Sequence, residues 1–237
     1  MRHLILALFL GTCSTSAFAQ SKLDWGPTLQ LGGSNMKFAP VLGFTSASQS
    51  PIFSFGVGVA GQYAFNRHIY VQSGLGLHTM GHNRDFSFSN SDTLNASSEQ
   101  KIRLYYIQAP LQLVFKSGAS TGNRMYIGAG AQFQEMLAGT MWQHAQGVTG
   151  KVPFDHTETI SLASGSGSWL LFDFGLLLSA GIETKKGVTV AVDYYIGYSD
   201  HGAATEIDKN RYICLKAGYF LKKKKTYKKD ENELIEK

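Results

Sequence analysis

The sequence predicts an all-β chain folded as an eight-stranded antiparallel transmembrane up-and-down β-barrel. Three observations point there. The stretch Tyr106–Lys116 alternates with a period of two, which is the repeat of a strand. Eight such stretches are joined by connections that run alternately long and short. A secretory leader precedes them all, so the chain is expected to leave the cytoplasm.

The leader has three parts: basic Arg2 and His3, an apolar core from Leu4 to Leu10, and a small-residue cleavage site at Ala17-Phe18-Ala19. It is too short to span a membrane as a helix. A signal peptide over residues 1–19 and a mature chain from Gln20 are therefore expected. Leu10-Gly11-Thr12-Cys13 only faintly resembles a lipoprotein acceptor, because Thr12 is a poor residue directly before the cysteine. After cleavage Cys214 alone remains, so no internal disulfide is expected. With 26 glycines, 12% aromatics and 16% charged residues, the composition suits many short strands.

In order, the expected strands are Trp25–Met36, Pro51–Phe65, Ile69–Asn83, Lys101–Lys116, Met125–Trp142, Gly167–Thr184, Val188–Ser199 and Asn210–Leu221. A Ser-rich loop (Ser46 to Ser50) follows the first strand, and Asn66-Arg67-His68 turns the second into the third. A Ser/Asn/Asp-rich loop runs to Gln100, a Ser/Gly turn spans Ser117 to Arg124, and the longest loop runs from Gln143 to about Gly165. Lys185-Lys186-Gly187 makes the last tight turn before a loop from Asp200 to Lys209. Antiparallel strands joined this way put all long loops at one end and all short turns at the other, as outer-membrane barrels do. Residues 20–221 are thus expected to form the barrel and 222–237 a charged tail. Both termini would lie in the periplasm of a Gram-negative cell.

The two faces of each strand separate a lipid-facing barrel from a soluble one. In the second strand Phe53, Phe55, Val57, Val59, Tyr63 and Phe65 oppose Ser54, Gly56, Gly58, Ala60, Gln62 and Ala64. The sixth and seventh strands set Phe172, Phe174, Leu176 and Leu178 against Asp173 and Glu183, and Val190, Val192 and Tyr194 against Asp193. Lys or Arg on the lipid side costs roughly 2–4 kcal/mol at the bilayer midplane. The charges should therefore lie in the lumen, with Phe55, Leu113 and Leu176 outward. Arg103, Glu135 and Arg211 share the apolar phase; near the outer strand ends their cost falls to about 0–1 kcal/mol. Eleven residues at about 3.3 Å, tilted by about 40°, cover roughly 28 Å, enough for the apolar band. Trp25, Tyr63, Phe65, Phe115 and Tyr219 at one end, and Phe53, Tyr105 and Tyr198 at the other, fit aromatic girdles.

Gln72-Ser73-Gly74-Leu75-Gly76-Leu77, the Tyr106–Lys116 run and Tyr126-Ile127-Gly128-Ala129-Gly130 together resemble the PorT-like "outer membrane protein beta-barrel domain" family. The resemblance covers Trp25 to Leu221. It implies a small barrel of Gram-negative outer membranes, and one member of that family is tied to protein secretion. It implies no functional residue here. The chain continues past Gly218-Tyr219-Phe220, whereas such barrels commonly end on an aromatic.

An eight-stranded barrel is just wide enough for its own side chains, so no conducting pore is expected. Asp193 and Lys216 should meet inside it as an ion pair, with Asp173, Glu183 and Lys116 in the same network, since buried charges are usually paired. Gly56, Gly58, Gly74, Gly76, Gly128 and Gly130 should leave room for the large inward groups. A lipid-modifying enzyme of the acylase or deacylase kind would need a Ser, a His and an acid near the outer leaflet. His78 and His82 sit high on the third strand near Asp85, but His78 falls on the lumen face and no serine shares a lipid-facing position with it. No catalytic residue is therefore assigned.

His144, Asp155, His156 and Glu158 lack the tight spacing of a metal site, and no metal or cofactor is expected. Gly165-Ser166-Gly167-Ser168 reads as a hinge and not as a phosphate loop, because no helix follows it. The tail holds seven lysines against four acids, three of the five net positive charges, so the body is nearly neutral and nucleic acid is not an expected partner. Lys222–Lys225 and Lys228-Lys229 could touch anionic headgroups or a periplasmic protein. The expected role is that of a monomeric structural or binding protein in outer-membrane lipid. Its partner would be an extracellular or periplasmic protein, with links to secretion or the envelope. The alternatives are the lipid-modifying enzyme and a soluble exported ligand-binding barrel.

Overall fold

A computed structural model describes residues 23–37, 46–90, 94–118, 122–146, 154–159, 172–199 and 209–221. The leader, the Gly165–Ser168 hinge and the lysine-rich tail lie outside them. Among the described residues nine strands form: β1 Leu23–Lys37, β2 Ser46–Ala64, β3 Ile69–Asn90, β4 Leu94–Lys116, β5 Arg124–Gln146, β6 Phe154–Thr159, β7 Phe172–Glu183, β8 Val188–Gly197 and β9 Lys209–Tyr219. Eight close a ring in the order β1-β2-β3-β4-β5-β7-β8-β9, each pairing antiparallel with its neighbours, and β9 returns to β1. Closure leaves no free edge around the ring, which lets a sheet sit in hydrocarbon with its backbone satisfied.

The side chains are arranged inside out. Phe53 is 64%, Leu113 59% and Met125 69% exposed. Gln62, Gln112, Gln132, Asp173 and Asp193 are buried on the inner face. Phe55 is exposed and Leu176 half-buried on the outer face, while Asp193 and Lys216 are enclosed. A soluble exported barrel, with its oily side chains turned inward, is excluded. Trp25, Phe65, Phe115 and Tyr219 ring the short-turn end; Phe53, Tyr105 and Tyr198 stand toward the other. At Lys185-Lys186-Gly187 the turn needs a positive φ of 93°, which glycine supplies without strain. That turn is closed by the Thr184 N–H donating to the Val188 carbonyl at 2.8 Å.

The long connections differ from expectation. Ser46–Ser50 is strand, and the segment expected as a loop from 84 to 100 is mostly the hairpin of β3 and β4, whose ladder extends to Asn90 and Leu94. Within the longest expected loop, β5 runs on to Gln146 and β6 pairs with it from Thr140↔Thr159 to Ala145↔Phe154. These segments are rich in Ser, Asn, Asp and Gln, so they lack the sustained apolar alternation that marks a strand in sequence. The result is an extended sheet in the order β2-β3-β4-β5-β6, standing beyond the closed ring, with β6 at its edge.

The alternation also inverts where the ring meets that sheet. On β4, Ile102 and Leu104 point inward and are buried, while Lys101, Arg103 and Tyr105 point outward. Met80 and Met136 join them in an apolar cluster with Tyr106, Leu177, Tyr195, Tyr212 and Cys214. Below that level the outside is oily. At it the inside is oily while Lys101 and Arg103 lie outside, and above it buried His82 and Arg84 follow on the inner face of β3. Two irregularities sit close by. One extra β2 residue is accommodated between Pro51 and Gly56, and Leu137 is bulged out where Tyr105 and Tyr106 pair with Ala138 and Met136.

Candidate functional site: a filled lumen and the sheet above it

Strand periodicity delivers every even-numbered side chain of β4 from Ile102 to Lys116 to the inside, and the opposing strands do the same, so polar groups meet in layers. At the short-turn end Lys116 contacts both Glu183 and Gln62. Its Nζ lies 4.3 Å from the Tyr70 ring centroid, with Tyr126 and Phe220 also around it. Phe220 is turned inward by backbone bonds from its own N–H to Gly187 O and from Leu221 N–H to Trp25 O, both 2.8 Å. Arg124 closes this end by donating to Tyr70 Oη at 2.6 Å and to the Arg67 carbonyl.

One layer higher, Lys216 Nζ is 2.6 Å from Asp193 Oδ2. Ser179 donates to the other Asp193 oxygen at 2.7 Å and accepts from Gln112 at 2.8 Å. Next come the glutamines: Gln132 donates to Gln108, Gln108 to Gln30, and Tyr212 Oη to Gln132. Asp173 sits above these, accepting from Asn210 at 2.9 Å and Gln134 at 3.4 Å. Gly197 gives it room, since a Cβ there would lie 3.0 Å from Asp173 Oδ2. The five charged residues expected inside are all inside. They are brought together as two ion pairs, Lys216–Asp193 and Lys116–Glu183, with Asp173 in a layer of its own among amides and tyrosines.

The apolar cluster covers these layers on the long-loop side. There β3 turns inward, and Ser34 on β1 reaches across to bond both backbone groups of Gly81, at 2.9 and 3.1 Å. Of the glycines expected to make room, Gly56 does so directly: a Cβ there would fall 2.9 Å from the His78 ring. Among the described residues the lumen is largely filled, and the cavity beside Gln30, Gln72, Asp193 and Lys216 is about 30 Å³, enough to hold ordered water.

Sequence reasoning missed Ser54 as a partner of His78. The two approach to 2.7 Å, Ser54 Oγ to His78 Nε2, both buried. The β2 irregularity brings them together, and nothing in the local sequence shows it. Ser54 also donates to the Thr79 carbonyl at 2.7 Å. A hydroxyl has one proton, so His78 then donates to Ser54 and does not deprotonate it. His78 Nδ1 meets no acid, and the pair faces the lumen, away from lipid. The arrangement is a structural hydrogen bond and lacks the third group of a triad. His144 stacks on Trp142 (centroids 5.9 Å apart) on the extended sheet, and no group of metal-ligating side chains occurs among the described residues.

The model of a family described as "Outer membrane protein beta-barrel domain" matches residues 18–201. No curated protein matches the chain by sequence. Among solved structures the chain is similar to Ail, the attachment invasion locus protein of Yersinia pestis, at 13% identity and a TM-score of 0.39, over 84% of this chain and 99% of that one. It is also similar to the outer membrane protein OprG of Pseudomonas aeruginosa, at 14% identity and a TM-score of 0.40, over 84% and 94%. Neisserial surface protein A matches at 10% identity and a TM-score of 0.37, over 83% and 96%.

Proposed function

From the premise that the chain belongs to the outer membrane protein beta-barrel domain family, we propose that this small outer-membrane barrel is a surface-binding protein and neither a pore nor a catalyst. In this reading the long-loop end faces outward and both termini lie in the periplasm. The observation that carries it is the contrast between the two halves of the molecule. The lumen is filled with side chains, many of them ion-paired or hydrogen-bonded to one another, while the sheet β2-β3-β4-β5-β6 stands beyond the ring with no further strand paired to β6 among the described residues. A sheet edge can take an added strand from a partner protein. The PorT-like kinship, with its tie to secretion, has the support that Gln72–Leu77 and Tyr126–Gly130 flank Tyr106–Lys116 on adjacent strands.

The experiment replaces Gln143–Gly165 by a short turn and measures capture of extracellular proteins by intact cells. Loss of a specific interaction with the barrel still folded supports the reading. Unchanged capture, or conductance steps from the purified wild type, contradicts it.

A further inference from the structure

We propose that the outer face of β4 just beyond the apolar belt, Arg103 with Lys101 and Trp142, is a binding site for the phosphate of a phosphorylated glycolipid in the surrounding leaflet. Depth is the first argument. Outward residues on β4 run Leu111, Ala109, Ile107 and Tyr105 and then change to Arg103 and Lys101. The cations thus begin where hydrocarbon gives way to headgroups, continuous with the lipid-facing surface.

Partnership is the second. Arg103 is exposed, and none of its hydrogen-bonding capacity is used by another described residue. Lys101 makes an exposed ion pair with Glu99 at 3.0 Å and lies 4.6 Å from the centroid of Trp142, its register partner on β5. Room is the third. The register places Thr140 beside Arg103 on β5, so a small residue flanks the guanidinium on that side, while on the other Gly81 is buried against Ile52. Arg103 and Lys101 stand about 6.6 Å apart along the strand, and a guanidinium fork suits a phosphate better than an ammonium does. Tyr105 and Trp142 supply the amphipathic rings that favour this depth. On β3 and β4 the acids Asp85 and Glu99 begin at the next row out, and on β5 the nearest outward acid, Glu135, stands two rows below Arg103 opposite Ile107.

The inference rests on the outward placement of the long-loop end, which protease added to intact cells reads separately by cleavage within residues 143–165. Binding itself is measured by native mass spectrometry of the full mature chain in micelles, with bisphosphorylated lipid A, the same lipid stripped of phosphate, and millimolar inorganic phosphate as competitor. Each basic residue near a phosphate surface is worth about a fivefold change in affinity. Lys101→Gln with Arg103→Gln should therefore weaken bisphosphorylated lipid A by roughly 25-fold and leave the stripped lipid unaffected. Lys185→Gln with Lys186→Gln, at the opposite end, should change nothing. Equal binding by wild type and the Arg103/Lys101 variant, equal affinity for both lipids, or full displacement by inorganic phosphate overturns the site. Retained heat-modifiable migration shows that the variant is folded.

Discussion

Lys216 and Asp193 meet diagonally inside the barrel. The ladder pairs Lys216 with Ala191 and Asp193 with Cys214, yet the ammonium reaches along the strand to within 2.6 Å of the carboxylate. Both residues are buried, and Ser179 bonds the second carboxylate oxygen. The pair ties β8 to β9 and, through Ser179 and Gln112, to β7 and β4 across the lumen.

Breaking that pair on one side strands a charge. Lys216→Met should destabilise the barrel by about 3–5 kcal/mol, the usual cost of an uncompensated buried ion. Adding Asp193→Leu should recover most of it. Equilibrium unfolding in urea from lipid vesicles measures both, and equal stability of wild type and Lys216→Met would show that the pair is not enclosed.

The outer face should reject charge by depth. Leu111→Arg, near the middle of the belt between Tyr105 and Phe115, should cost roughly 2–4 kcal/mol of folding free energy in vesicles. Thr140→Arg, beside Arg103, should cost about 0–1 kcal/mol. Similar penalties at both sites would contradict the placement of the belt.

Removing the Ser54 hydroxyl should act on stability alone. Ser54→Ala loses hydrogen bonds to His78 and Thr79, worth about 1–3 kcal/mol in a buried setting. Lipid A extracted from cells expressing wild type or the variant should have the same mass. A mass change that depends on Ser54 or His78 would establish an enzyme.

A filled lumen should not conduct. Purified protein in planar bilayers should show no stepwise current at any voltage that the bilayer survives. Discrete steps that vanish on boiling the protein would show a path past the Lys116 and Lys216 layers.

The ring was legible because lipid on one side and packed polar groups on the other force a period of two, as in Phe53 to Phe65 and Tyr106 to Lys116. Inward placement of Asp193 and Lys216 follows from that period alone. The extended sheet was not legible. In Ser46–Ser50 and 84–100 the abundant Ser, Asn and Gln resemble a loop, although Phe86 and Phe88 do alternate with Ser87 and Ser89. The inner apolar cluster left a signal in Ile102-Arg103-Leu104, where charge and oil exchange phases. Arg103 taken alone looks like an exception at the interface. The Ser54–His78 contact depends on an irregular pairing near Pro51, which no repeat announces.

Orientation of the faces is tested most directly by spin labels placed one at a time from Leu111 to Lys116, in a Cys214→Ser background reconstituted into vesicles. An inside-out barrel predicts that labels at 111, 113 and 115 collide readily with oxygen dissolved in lipid, while those at 112, 114 and 116 are shielded. The opposite phase, or no alternation at all, would contradict it.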